Sequence, residues 1–148
     1  MVYFHTWSMK SYHFKSGSSK LVIYQLLLRV FSNVNSKNKL YGTLAQNGSG
    51  KFNDINSNVL NSLKALGISH IWYTGILEHS SLSAYKENGI LADDPHVVKG
   101  RAGSPYAIRD YYDVDADLSV DVVNRMAEFE QMIQRTHECG LKAIIDFV

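Results

Sequence analysis

Twice in this chain a helical stretch runs through a glycine into a short apolar segment, as LKALGISHIW at residues 63–72 and HECGLKAIIDF at residues 137–147. A third apolar run, LVIYQLLLRVF, stands upstream at residues 21–31. Together they set the order strand, helix, strand, helix, strand, which constrains the fold more than any other feature. Parallel neighbours need a crossover of a dozen residues or more, and both connections are long enough for right-handed βαβ units. The run at 21–31 lacks clean alternation, and its β-branched and aromatic residues favour a strand buried on both faces over a buried helix. The expected class is therefore α/β with a parallel sheet.

The helices carry their own punctuation. Asn56 or Ser57 can cap the first, Val59, Leu60, Leu63 and Leu66 recur at helical spacing, and Gly67 stops it. A strand follows over 68–74. The second helix is expected over 122–139, with Met126, Phe129, Met132 or Ile133, and Thr136 on its inner face, and Gly140 as its end. The last strand is expected over 141–148. Two long polar stretches, 32–53 and 75–118, each follow a strand. In barrels and open α/β sheets, loops beyond the carboxyl ends of strands build the active face. Those loops and the residues around Asp146 should meet on one rim.

Composition narrows the classes of function. The 148 residues are about one domain's worth, and 45% hydrophobic content fits a packed core. Lys plus Arg exceed Asp plus Glu by 15 − 14 = 1, so there is no basic field for generic nucleic-acid binding. Cys139 is the single cysteine, which excludes an internal disulfide and a multi-cysteine zinc site. No apolar run reaches the roughly 18 residues of a membrane span. Residues 1–20 read as a poorly ordered leader with a Ser-Gly joint at 16–19. They hold no continuous apolar signal core, so the cytoplasm is the favoured compartment.

Several residues could carry chemistry. Asp146 interrupts an apolar strand near its carboxyl end, where a charge is costly unless it is paired or set at a solvated mouth. It reads either as a carboxylate aimed into a site or as one half of an ion pair with a distant Arg. The stretch GRAGSPYAIRDYYDVDADL at 100–118 is dense in Tyr and Asp. Aromatic faces beside carboxylates suit sugar rings, though a solvated acidic loop gives the same composition. Asp93, Asp94 and His96 are neighbours but fall short of a convergent metal set. His70 reads as a structural histidine, His137 as a helix-end residue and Cys139 as packing. Ser104 lacks a nucleophile elbow, and Gly48-Ser49-Gly50-Lys51 lacks the spacing of a phosphate-binding loop.

Three of these stretches, taken together, resemble the opening part of the catalytic barrel of alpha-amylase family glycoside hydrolases. VIYQLLLRVF is similar to the family's first barrel strand. LKALGISHIWYTGI is similar to its first helix running into the second strand, with Gly75 where many members have Pro. GSPYAIRDYYDVD, a helix and HECGLKAIIDFV are similar to the segment ending in the third strand. The resemblance spans residues 21–148. It implies an incomplete (β/α)8 barrel of three strands and two helices, from a retaining enzyme acting on alpha-glucans of the starch or maltodextrin type. It also implies that Tyr106 and Asp146 bind substrate, Tyr106 by stacking on the sugar and Asp146 as the Asp of the D-x-x-x-N-H signature, and that Asp110 and Tyr112 support the site.

The family's Asp nucleophile and Glu acid/base lie on later strands, so the resemblance assigns no catalytic residue here and expects this stretch alone to be inactive. The same holds for metal: calcium, common in the family, would belong to the longer parent, and no cofactor is expected within these residues. The expected partner is an alpha-glucan oligosaccharide or polysaccharide, with no nucleic acid and no membrane. On this reading residues 21–148 are the first part of a larger barrel domain cut at its third strand. The alternatives are a self-standing, non-catalytic α/β module binding sugar or protein, and a small doubly wound nucleotide-binding domain. The latter lacks its Gly-rich turn.

Overall fold

The structure, a computed structural model, describes residues 20–148. Apart from Lys20, the leader expected over 1–20 lies outside the described residues. In chain order the elements are β1 (Ile23–Leu27), α1 (Leu28–Phe31), α2 (Leu44–Asn47), α3 (Ser57–Ala65), β2 (His70–Thr74), β3 (Leu77–His79), β4 (Ile108–Val114), α4 (Arg125–Glu138) and β5 (Lys142–Ile145). Short 3-10 turns join several of them.

The three apolar segments form one parallel sheet in the order β1-β2-β5. Tyr73 at its centre pairs with Leu26 on one side and Ile145 on the other. Side chains alternate across a strand, so Ile71 and Tyr73 share a face, and both are fully buried. Leu60 and Leu63 of α3 and Met132 of α4 join the same core. Both helices therefore cover one face. The strand order advances without reversal, so the sheet has no switch point of the doubly wound kind.

Local chemistry explains the helix ends. The Asn56 carboxamide accepts from the backbone amides of Asn58 and Val59, satisfying two orphan donors of α3. Gly67 then takes φ +84°, the left-handed conformation that closes a helix. Across the core, the Tyr73 hydroxyl lies 2.7 Å from Thr136 Oγ1, which itself donates to the Met132 carbonyl at 2.8 Å. With the Thr136 proton so used, Tyr73 is the donor. Burial pushes its phenol up to about 12. Arg135 fastens α4 to the turn before α3, donating to the carbonyls of Ile55 and Phe52.

Several expectations are corrected. The strand expected over 21–31 stops at Leu27, and a helical turn begins at Leu28. A mixed apolar run reads the same in either state, so its length alone could not place the break. Nor is that strand buried on both faces: Ile23 and Tyr24 lie exposed on its free edge. Leu66 faces solvent at 75% exposure, because the helix has already reached its C-cap there. The segment 32–53 holds α2 and a 3-10 turn. The segment 75–118 holds a second sheet, the antiparallel pair β3 and β4 with register breaks between them. The second helix begins at Arg125, after a 3-10 turn over Val122–Asn124. The last strand ends at Ile145, leaving Asp146 just beyond it.

Candidate functional site

The face of the sheet turned away from the helices is polar toward the carboxyl ends of the strands. Gln25 Nε2 donates to Thr74 Oγ1 at 2.9 Å, linking β1 to β2. Trp72 and Ile144 are register partners on this face, and Asp146 follows two residues later in the same phase. Trp72 Nε1 donates to Asp146 Oδ1 at 2.5 Å. Asp146 Oδ2 is shielded from solvent and has no partner among the described residues. A shielded carboxylate oxygen without a donor is costly, and this one lies at the rim where the strands end.

A second set of contacts brings residues 101–107 to that rim. Leu82 N donates to the Arg101 carbonyl at 2.8 Å, and Ser80 N to the Ala107 carbonyl at 2.9 Å. Arg29 Nη1 donates to the Ala102 carbonyl at 2.8 Å. Pro105 packs over Gly75, directly beyond β2: a Cβ built on Gly75 would stand 2.9 Å from the Pro105 side chain. Tyr106 emerges from this tethered turn just before β4, 48% exposed. It is an aromatic face held in place by its backbone and open to a ligand.

Beneath the turn lies a buried polar layer. Asp117 accepts from Ser83 Oγ at 2.6 Å and from the Tyr85 hydroxyl at 2.7 Å. Burial, then the bond to Asp117, raises the Tyr85 phenol. Lys51 Nζ donates to the carbonyls of Asp117 and Ser119 at 2.6 and 3.0 Å. Burial pushes the Asp115 carboxyl up to about 6, with His79 pulling it down and Asp117 pushing it further up. On the outer side of the hairpin, Arg109 pairs with Glu78 and Asp93. Arg125 holds Asp113 through Nε at 2.8 Å and Nη2 at 2.5 Å. This bond to Asp113 raises the Arg125 guanidinium. A cavity of about 350 Å³ opens between the 40–49 segment and residues 100–102, with Arg29, Tyr41, Arg101 and Asp117 among its walls.

Of the residues singled out in the sequence, Tyr106 and Asp146 both reach the rim, each on its own support. Tyr111 and Phe147 lie against each other with ring centroids 4.9 Å apart, and the Tyr111 hydroxyl donates to the Val148 carbonyl, so β4 touches the segment that carries Asp146. Asp110 lies on β4 and accepts from Tyr112 N at 2.8 Å. Tyr112 points into solvent at 92% exposure. Asp93 is tied to Arg109 and to Ser81 N, and Asp94 accepts from His96 N. Among the described residues no three His, Cys, Asp or Glu side chains converge as a metal set. No helix among them is long and apolar enough to cross a membrane. His70 is held by Ser69 Oγ at 2.8 Å. Cys139 packs partly buried against the core. Lys51 of the Gly-Ser-Gly-Lys stretch is the strut described above. Trp72, Arg29 and His79 escaped sequence reasoning. Arg29 breaks an apolar run as Asp146 does, and that interruption was the available signal.

No family model matches the chain, and no curated protein sequence matches it. Among solved structures, that of a noncanonic maltogenic alpha-amylase from Thermotoga neapolitana is similar to it, with a TM-score of 0.53 and 23% identity. The match covers 86% of this chain and 22% of that one, so the chain spans about a fifth of the amylase's length. The likeness shows the fold: a mixed α/β arrangement around a parallel three-stranded sheet.

Proposed function

We propose that this chain is the opening arc of a (β/α)8 barrel in a retaining alpha-glycosidase, and that its rim is one wall of an alpha-glucan cleft. The observation that carries the reading is the pairing of two features at the carboxyl ends of the strands. Tyr106 presents a half-exposed ring on a tethered turn, and Asp146 keeps a shielded oxygen without a donor. An aromatic face suits the C–H side of a sugar ring. Asp146 is then a positioning carboxylate whose second oxygen accepts a donor from another part of the barrel. The supporting role that the resemblance gives Asp110 and Tyr112 stays with the resemblance: Asp110 accepts from Tyr112 N, and Tyr112 is open to solvent.

The singly wound sheet supports the barrel. An advancing strand order with helices on one face is how a barrel arc is built. The free edge of β5 and the apolar groove between α4 and β5, lined by Phe129, Ile133, Ala143 and Ile145, fit a following strand and helix. Retaining hydrolysis needs two carboxyl groups roughly 5–5.5 Å apart. In the family this chain resembles, those two carboxyl groups stand on later strands, and the reading places them there; Asp113, Asp117 and Glu78 are held in ion pairs or hydrogen bonds within the fold. On this reading the chain alone is inactive, and calcium belongs to the longer parent.

The test is an amylase and alpha-glucosidase assay on this chain beside a version extended through the downstream reading frame. Activity in the extended form alone is the expected result. Inactivity of both, with the extended form folded and maltooligosaccharide binding absent, overturns the reading.

A further inference from the structure

The turn that carries Tyr106 is gripped by two side chains from different elements, His79 and Arg29. His79, at the end of β3, has its side chain 2% exposed. Its Nδ1 lies 3.0 Å from the Leu77 carbonyl, and its Nε2 lies 3.0 Å from the Ala102 carbonyl. An imidazole with one proton would turn a lone pair onto one of those oxygens, and only a ring with a proton on each nitrogen satisfies both. Asp115 Oδ2, 3.9 Å from Nε2, supplies the balancing charge. The other charged groups bearing on this pair are Arg29, from α1, and Asp117, two residues on. The Ala102 carbonyl thus accepts from His79 and from Arg29, and Arg29 Nη1 also reaches the Gly103 carbonyl at 3.4 Å.

We propose that His79, carrying both ring protons, is a positioning residue that acts with Arg29 on the Ala102 carbonyl to aim the Tyr106 ring at a sugar. The proposal rests on the reading of Tyr106 as a glucan-stacking residue. A carbonyl filled by two charge-assisted donors is held more firmly than a loop carbonyl bonded to one neutral donor. Tyr106 lies four residues further on, with Pro105 seated on Gly75 between them. The turn is therefore set before a ligand arrives, and less ordering is lost on binding.

Two substitutions separate positioning from bulk. His79→Gln places an amide nitrogen near Nε2 and keeps a donor for Ala102. His79→Asn places one near Nδ1 and keeps a donor for Leu77 alone. The readouts, on the intact protein, are the Kd for maltotetraose and the imidazole 15N spectrum. His79→Asn should weaken binding about fivefold and His79→Gln about twofold or less. In a Tyr106→Ala background neither should weaken it further, because coupled residues do not add. The unmutated protein should show two ring N–H signals for His79, with a hydrogen-bond coupling from Nε2 to the Ala102 carbonyl. Equal losses for Gln and Asn, or full additivity with Tyr106→Ala, overturn the positioning role. One ring N–H signal overturns the doubly protonated ring, whether or not the variants fold. If Tyr106→Ala itself leaves the Kd unchanged, the glucan reading fails, and the 15N spectrum still decides the state of the clamp.

Discussion

The two faces of the parallel sheet are built on opposite principles. Under the helices, Leu60, Leu63, Ile71 and Met132 pack with almost no exposure, and a deep polar pair there, Tyr73 with Thr136, is satisfied. Toward the strand ends of the other face, Gln25, Trp72, Thr74 and Asp146 form a polar row, and one of its oxygens has no donor among the described residues. The first face gains from every contact and leaves nothing undone. The second carries an unsatisfied group, a cost that structures tolerate where a ligand or another segment completes the bonding. Stability and recognition are thereby assigned to different side chains of the same strands, even to neighbours such as Tyr73 and Trp72.

That division can be broken from either side. Leu60→Ala should have the largest effect, destabilising the fold by about 3 kcal/mol in denaturant titration, since a fully buried leucine leaves a cavity. A loss under 1 kcal/mol would mean the helix face is not the dry core described. Next comes Asp115, whose folded carboxyl is pushed from 3.8 to about 6. The folded state holds this proton more tightly than the unfolded one. The group's stabilising contribution is therefore fully present below about pH 3.8 and lost as pH rises through 6. Relative to Asp115→Asn, the unmutated protein should gain stability as pH falls from 7 to 4. Parallel stability curves for the two would contradict the buried charge.

Smaller effects sharpen the comparison. Trp72→Phe removes the donor to Asp146 Oδ1 and should cost about 1–2 kcal/mol. No change in the unfolding midpoint would show that Asp146 is solvated instead. Tyr106→Ala should leave stability within about 0.5 kcal/mol. It should weaken maltooligosaccharide binding by about 1 kcal/mol, roughly fivefold. Unaltered affinity would take Tyr106 out of the site.

What could be read in advance follows the range of the interactions. α3 was legible because its signals are local: Asn56 caps it, Leu60 and Leu63 turn inward, and Gly67 ends it. The parallel order was legible because two helices separate three apolar runs. The pairing of β3 with β4 was not, since Leu77–His79 is three residues long and its partners lie about thirty residues away. Asp146 announced itself as a charge in an apolar strand. Its partner Trp72 did not, because an indole in such a strand reads as packing. Arg29 and His79 bind backbone carbonyls, which leave no mark in a side-chain pattern, so only the interruption of an apolar run pointed to Arg29 and nothing pointed to His79.

One glycine in the Tyr106 turn bears on how this surface can vary. At Gly103 the backbone has φ +70°, and a Cβ would stand 1.8 Å from the Ser80 carbonyl oxygen. Gly100 has nearly the same conformation, φ +68°, with nothing within 4 Å of where its Cβ would be. In a saturation library Gly100 should accept Asn and Asp, which tolerate the left-handed region, while Gly103 accepts no replacement. Tolerated substitutions in this turn then fall on the Gly100 side, and the stem next to Tyr106 is the part that cannot take a side chain.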